Sequence, residues 1–181
     1  MKRNRLFTGT VALTAAFVAV AAGDPTINAA KSNIIATFRQ ENVPVDAPFK
    51  KFNGRIDYNA AQPAAAKAAL EVDTASLDVG AADYNAEVAK KSWLDSGAYP
   101  KATFVSTAIK PGASGHFDAT GILTLKGKAL TLTVPVTVAA AGTAMAYDGS
   151  FEISRAYFGI GSADWNDVVD DKVRVRFHLI E

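Results

Sequence analysis

Apolar residues recur at every second position through most of this chain, the period of a strand with one buried face. From 128 to 138 the run KALTLTVPVTV sets Leu130, Leu132, Val134, Val136 and Val138 on one side. Thr131, Thr133, Pro135 and Thr137 take the other. A proline inside such a run points to an edge, a bulge or a bend. Upstream, Phe117, Ala119, Gly121, Leu123 and Leu125 alternate, and Gly127 stands in the turn between the two runs. At the far end, Val173, Val175, Phe177 and Leu179 alternate with Arg174, Arg176 and His178. Further strands are expected near 33–41, 49–59, 67–74, 101–110 and 143–158, which makes eight. Turn residues such as Asn59 to Pro63 and Pro111-Gly112 separate them.

One stretch breaks the rhythm. Residues 82–92 read as a short helix, with Tyr84 stacked on Val88 and Glu87 paired with Lys91, each at i,i+4. Trp93 to Pro100 then leads back into a strand. Eight strands with one apolar face each predict an all-β antiparallel barrel or sandwich carrying one helical insertion. Large and small residues mix on the inward side, Gly54 and Gly121 among Phe38, Phe52, Phe104 and Phe117. Inward glycines either leave a gap or permit close packing. Alternation leaves both open, with a filled core as the default.

Composition narrows the class. Of 181 residues, 49% are hydrophobic and 20% charged, which fits one folded domain and not a disordered chain. With Cys at 0, disulfides, thiolate catalysis, Cys-ligated metals and a lipidated cysteine are excluded. Residues 1–22 follow the pattern of a cleaved signal peptide. Lys2, Arg3 and Arg5 precede an uncharged run from Leu6 to Ala22, small residues stand at Ala19-Val20-Ala21-Ala22, and Gly23-Asp24-Pro25 breaks the run. Its removal takes three of 19 basic residues, leaving 16 against 18 acidic ones. The expected mature chain, 23–181, is a single exported domain of net charge −2, without a basic stripe for nucleic acid.

Five motifs in order then identify a family resemblance. Phe49-Lys50-Lys51-Phe52-Asn53-Gly54-Arg55-Ile56 and Leu70-Glu71-Val72-Asp73-Thr74 open the series. Tyr99-Pro100-Lys101-Ala102-Thr103-Phe104-Val105-Ser106, Gly121-Ile122-Leu123-Thr124-Leu125-Lys126-Gly127 and Ile153-Ser154-Arg155-Ala156-Tyr157-Phe158-Gly159 complete it. Over roughly 33–181 the chain resembles the YceI-like family of exported proteins. It departs at Lys126, where the family often carries His, and at Ala47-Pro48, where a Gly-containing turn is common. The resemblance implies a lipocalin-like, extended eight-stranded barrel whose lumen holds a polyisoprenoid chain such as a quinone tail. It implies no catalytic cofactor, a periplasmic or secreted location, and in many members a homodimer. Trp165-Asn166-Asp167 resembles a branch associated with membrane b-type cytochromes, which implies such a partner.

A hollow apolar lumen is therefore expected over a filled one. The lining expected for it is Phe38, Phe52, Ile56, Leu70, Val72, Phe104, Phe117, Leu123, Leu132, Val134, Phe151, Val175 and Phe177. Arg155 has inward parity and is expected to close one barrel end, stacked on Trp93 or Trp165; the alternative is a contact to the ligand's head group. Two isolated histidines, His116 and His178, lack metal-ligand spacing. Asp164, Asp167, Asp170 and Asp171 share a loop without calcium-loop spacing and read as a solvated turn. Ser106, Ser154 and Ser162 lack a nucleophile context. The function expected is lipid binding without covalent chemistry, ahead of docking to a redox partner, with catalysis on an isoprenoid third.

Overall fold

The computed structural model describes residues 26–181. The expected signal peptide lies outside the described residues. Nine antiparallel strands form one sheet: β1 (Asn33–Gln40), β2 (Val43–Pro48), β3 (Phe52–Asp57), β4 (Lys67–Asp73), β5 (Lys101–Pro111), β6 (His116–Leu125), β7 (Lys128–Ala141), β8 (Ala144–Ser154) and β9 (Lys172–Ile180). Their spatial order is β2-β1-β9-β8-β7-β6-β5-β4-β3, and the sheet curls into a half-barrel. The helix α1 (Ala82–Val88) ends earlier than its periodicity implies, and Glu87 pairs with Lys90 rather than Lys91.

The strand missing from the sequence reading is β2. Pro44 and Pro48 argue against a strand, yet both are tolerated because β2 is an edge, where one side needs no N–H donors. A two-residue turn with Glu41 and Asn42 at φ 48 and 65° joins it to β1. The long strand expected at 143–158 stops at Ser154, where the chain turns to build a loop around Arg155.

Parity works as the alternation predicts. One inward rung runs Phe117↔Val136↔Gly149↔Phe177↔Ile34 across five strands. The outward rung beside it is polar, His116↔Thr137↔Asp148↔His178↔Asn33. Outside, Arg174 meets Glu152 at 3.0 Å and Arg176 meets Asp46 at 2.7 Å, exposed pairs worth little singly.

Inward glycines mark close packing. A Cβ on Gly121 would overlap the Phe104 ring and lie 2.6 Å from the Val105 carbonyl oxygen. A Cβ on Gly54 would overlap the Leu70 side chain, and one on Gly149 the Phe177 ring. Each glycine therefore lets a large cross-strand neighbour lie flat along the wall, and the hollow forms elsewhere.

The edges β2 and β3 share no ladder, and the N-terminal segment pairs with the β3 edge and ties it to the end of β9. Thr26 bridges Arg55, Ile27 N–H donates to Gly54 O at 2.9 Å, and Asn28 N–H donates to Ile180 O at 2.7 Å. Ile27 is buried in the core beneath. Gly121→Ala should lower stability by about 1–3 kcal/mol through overpacking against Phe104. Urea denaturation followed by circular dichroism measures it; an unchanged midpoint would refute the packing role.

Candidate functional site

The curled sheet encloses a cavity of about 230 Å³ along its length. That is room for roughly eight waters at their volume in the liquid. The wall gives water almost nothing to bond to, being built from side chains such as Phe38, Leu70, Phe104, Val134 and Phe151. Neither a carboxylate nor a histidine stands among the lining residues. Apolar walls around empty space favour an apolar occupant over water.

Eleven of the thirteen residues expected at the lumen line it: Phe38, Ile56, Leu70, Val72, Phe104, Phe117, Leu123, Val134, Phe151, Val175 and Phe177. Two do not. Phe52, next to the sheet edge on β3, packs against the core cluster without being part of the lumen wall. Leu132 faces a place where β7 has no partner on its β8 side, and it packs between the two core clusters. Several lining residues were missed. Ile34, Ala36, Val136 and Tyr147 share the parity of residues that were named, so the signal was present. Leu77, Val79 and Val88 come from the segment after β4 and from α1, and only the tertiary fold brings them to the lumen.

Arg155 closes one end, 3% exposed. Its Nε donates to Asp170 O at 3.1 Å and Val169 O at 3.2 Å. Nη1 donates to Ile160 O at 3.0 Å. Nη2 donates to Val169 O at 2.8 Å, Asn166 Oδ1 at 3.0 Å and Trp165 O at 3.3 Å. A buried guanidinium is thus held by neutral acceptors of the 156–170 loop instead of a carboxylate. Gly161, at φ +79°, is required beside it: a Cβ there would lie 2.7 Å from Nη1 and 3.3 Å from Trp93 Cζ3. Trp93 lines the cavity next to this arginine, and Trp165 packs on Trp93 with ring centroids 5.3 Å apart. Trp93 Nε1–H is buried and has no acceptor in the protein, as is also true of Ser96 Oγ.

Lys126 ties the same end together, donating to Lys91 O at 2.9 Å and Gly159 O at 2.6 Å. Partial burial holds its ammonium below the usual lysine range. At the other end Tyr147 donates to Glu181 Oε2 at 2.6 Å, and Tyr58 stacks on Phe117 with centroids 5.8 Å apart. Burial, and then the Glu181 bond, push the Tyr147 phenol up, so it stays protonated. Lys67, exposed, marks where the cavity reaches the surface at this end.

The remaining polar candidates are placed in local bonds. His116 Nδ1 meets Thr137 Oγ1 at 3.1 Å, and His178 Nδ1 meets Asp148 at 2.7 Å. Among the described residues no group of three His, Asp or Glu is arranged to hold a metal. Ser106 Oγ accepts from Ala68 N–H at 2.8 Å, Ser154 donates to Asp171 at 2.9 Å, and Ser162 donates to Asp164 at 3.3 Å. Asp170 reaches Arg39, so the acidic loop is divided among separate partners.

Arg155→Met should remove about 3 kcal/mol or more, because several buried carbonyls lose their donor together. Arg155→Lys should restore less than half, since one compact ammonium cannot span them. Thermal unfolding measures both; a stable Arg155→Met protein would refute the closing role. Asp171 adds a pH dependence. The Ala156 N–H bond, with Ser154 and the nearby Arg155 charge, holds its carboxyl below the ordinary 3.8. A depressed folded value stabilises above the unfolded pKa and is lost as pH falls through the folded one. Tryptophan fluorescence of this end should stay unchanged from neutrality to about pH 5 and shift below about pH 4.

Comparison with known proteins follows the same lines. The YceI-like domain model matches residues 26–180. BcnA of Burkholderia cenocepacia is 43% identical, with a TM-score of 0.83 over 86% of this chain and 99% of that one. A polyisoprenoid binding domain from Saccharophagus degradans shares the fold at 16% identity, with a TM-score of 0.71 over 87% of this chain and 97% of that one. A UPF0312 protein from Pseudomonas savastanoi is 38% identical over 96 residues, which are 53% of this chain. The chain spans about half the length of the curated relatives it first matches, 48% in that case. With nearly every described residue inside the matched domain, this chain belongs to the YceI-like family.

Proposed function

We propose that this protein is an exported carrier or store that encloses one polyisoprenoid chain, a quinone tail included, without covalent chemistry. The observation that carries the reading is the apolar cavity running between the Arg155 and Tyr147 ends. Withdrawing a prenyl chain from water contributes about 0.8 kcal/mol per CH₂, and aromatic and branched walls suit its methyl-studded outline. The binding description attached to the Saccharophagus degradans domain supports the ligand class, and residues 1–22 support export to a periplasmic or extracellular location. Trp93 Nε1–H, buried without an acceptor at the Arg155 end, supports placing the chain's polar end there.

The rival reading is a docking partner for a membrane b-type cytochrome. It rests on Trp165 to Asp167, but in the fold this stretch serves Arg155 and Trp93.

Native mass spectrometry of protein exported from a bacterial host should show a bound mass that organic extraction returns as a prenyl lipid. Phe104→Asp should cut retained lipid ten-fold or more, while Val105→Asp, outward and 51% exposed, should keep it. Equal retention in both folded variants would refute the lumen as the binding site.

A further inference from the structure

The ladder between β7 and β8 covers only part of those two strands. Pairing of β7 with β8 runs from Ala141↔Ala144 to Val136↔Gly149 and stops. Below that point Lys128–Pro135 pairs only with β6, and Ser150–Ser154 only with β9. Pro135 lacks the N–H that the next pair, with Ser150, would call on. Beyond it the two strands are held by side chains alone. Tyr157 Oη donates to Ala129 O at 2.8 Å, Lys128 Nζ donates to Tyr157 O at 2.6 Å, and that ammonium sits 5.7 Å from the Tyr157 ring centroid.

The split faces the lumen. Val134 on one lip and Phe151 and Ile153 on the other line the cavity, while Leu130 and Leu132 fill the space between as half-buried residues. Its outer rim carries Thr131 and Thr133 on β7 and Glu152 on β8, the last paired with Arg174 of β9. At the β3 edge, Thr26 bridges Arg55 and Ile27 N–H donates to Gly54 O, while Asn28 N–H ties the same segment to Ile180 O of β9, with Ile27 buried beneath.

We propose that the split between β7 and β8 is a lateral portal through which a linear apolar chain enters and leaves. The inference rests on the lipid-binding reading above. Opening here breaks side-chain contacts and one latch, whereas opening within the paired stretches of the wall breaks a backbone ladder. A long flexible chain laid in sideways leaves water along its length at once; threading it through an end exposes the remainder throughout.

A tether across the split tests this. The chain has no Cys, so Thr133→Cys with Glu152→Cys, both outward, gives a unique pair to join with a short bis-maleimide. Thr120→Cys with Thr133→Cys spans the intact β6–β7 ladder as the control. The probe is a benzoquinone bearing four isoprene units, its uptake and release followed by stopped-flow tryptophan fluorescence. The β7–β8 tether should slow both rates ten-fold or more and leave final occupancy unchanged; the control tether should alter neither. Tyr157→Phe, which removes the Ala129 bond, should speed release several-fold. Wild-type rates with the β7–β8 tether in place would overturn the portal and assign entry to the barrel ends. An untethered protein that never takes up the probe would overturn the lipid reading, and the portal with it.

Discussion

A single antiparallel sheet that curls on itself has to bury one face against nothing but its own far side. Strand alternation supplies the apolar face, but nine strands make the enclosed space wider than two facing side chains can fill. Curvature is accommodated at Gly54, Gly121 and Gly149, where Leu70, Phe104 and Phe177 lie flat over a bare backbone. Large residues pressed along the wall leave the axis empty. The cavity is therefore a consequence of how the sheet bends, and its apolar character follows from the same alternation that makes the sheet.

The two ends of that cavity are finished with different chemistry. At one, a buried arginine gathers the carbonyls of a long loop, and its charge is spread over neutral dipoles. Lys126 does the same from the β6–β7 turn, reaching Lys91 and Gly159. At the other end a protonated tyrosine and a small aromatic stack close over the lumen. Polar groups are confined to the ends, so the middle of the wall stays apolar.

The junction between β7 and β8 shows the same economy at the level of the backbone. One proline at 135 removes a donor where the strands begin to part, and side chains take over from the ladder. That junction is held more weakly than the paired stretches of the wall on either side of it.

Much of this was legible in the sequence. Period-2 alternation placed eight of nine strands and assigned inward and outward faces, because a strand's side chains depend only on parity. Eleven of thirteen expected lining residues reach the lumen for that reason. Five ordered motifs carried the family. What parity cannot carry is partnership. Whether β7 meets β8 below Val136 decides that Leu132 fills a split instead of the lumen. Whether an edge strand tolerates proline decides that β2 exists. The inward glycines are ambiguous in sequence because a missing Cβ leaves a gap or a close approach depending on what lies opposite. Arg155 could be marked as buried and in need of acceptors, but those acceptors are backbone carbonyls, which every residue possesses and no sequence pattern distinguishes. Local periodicity is written in the order of residues; the pairing of distant backbones is decided only when the sheet closes.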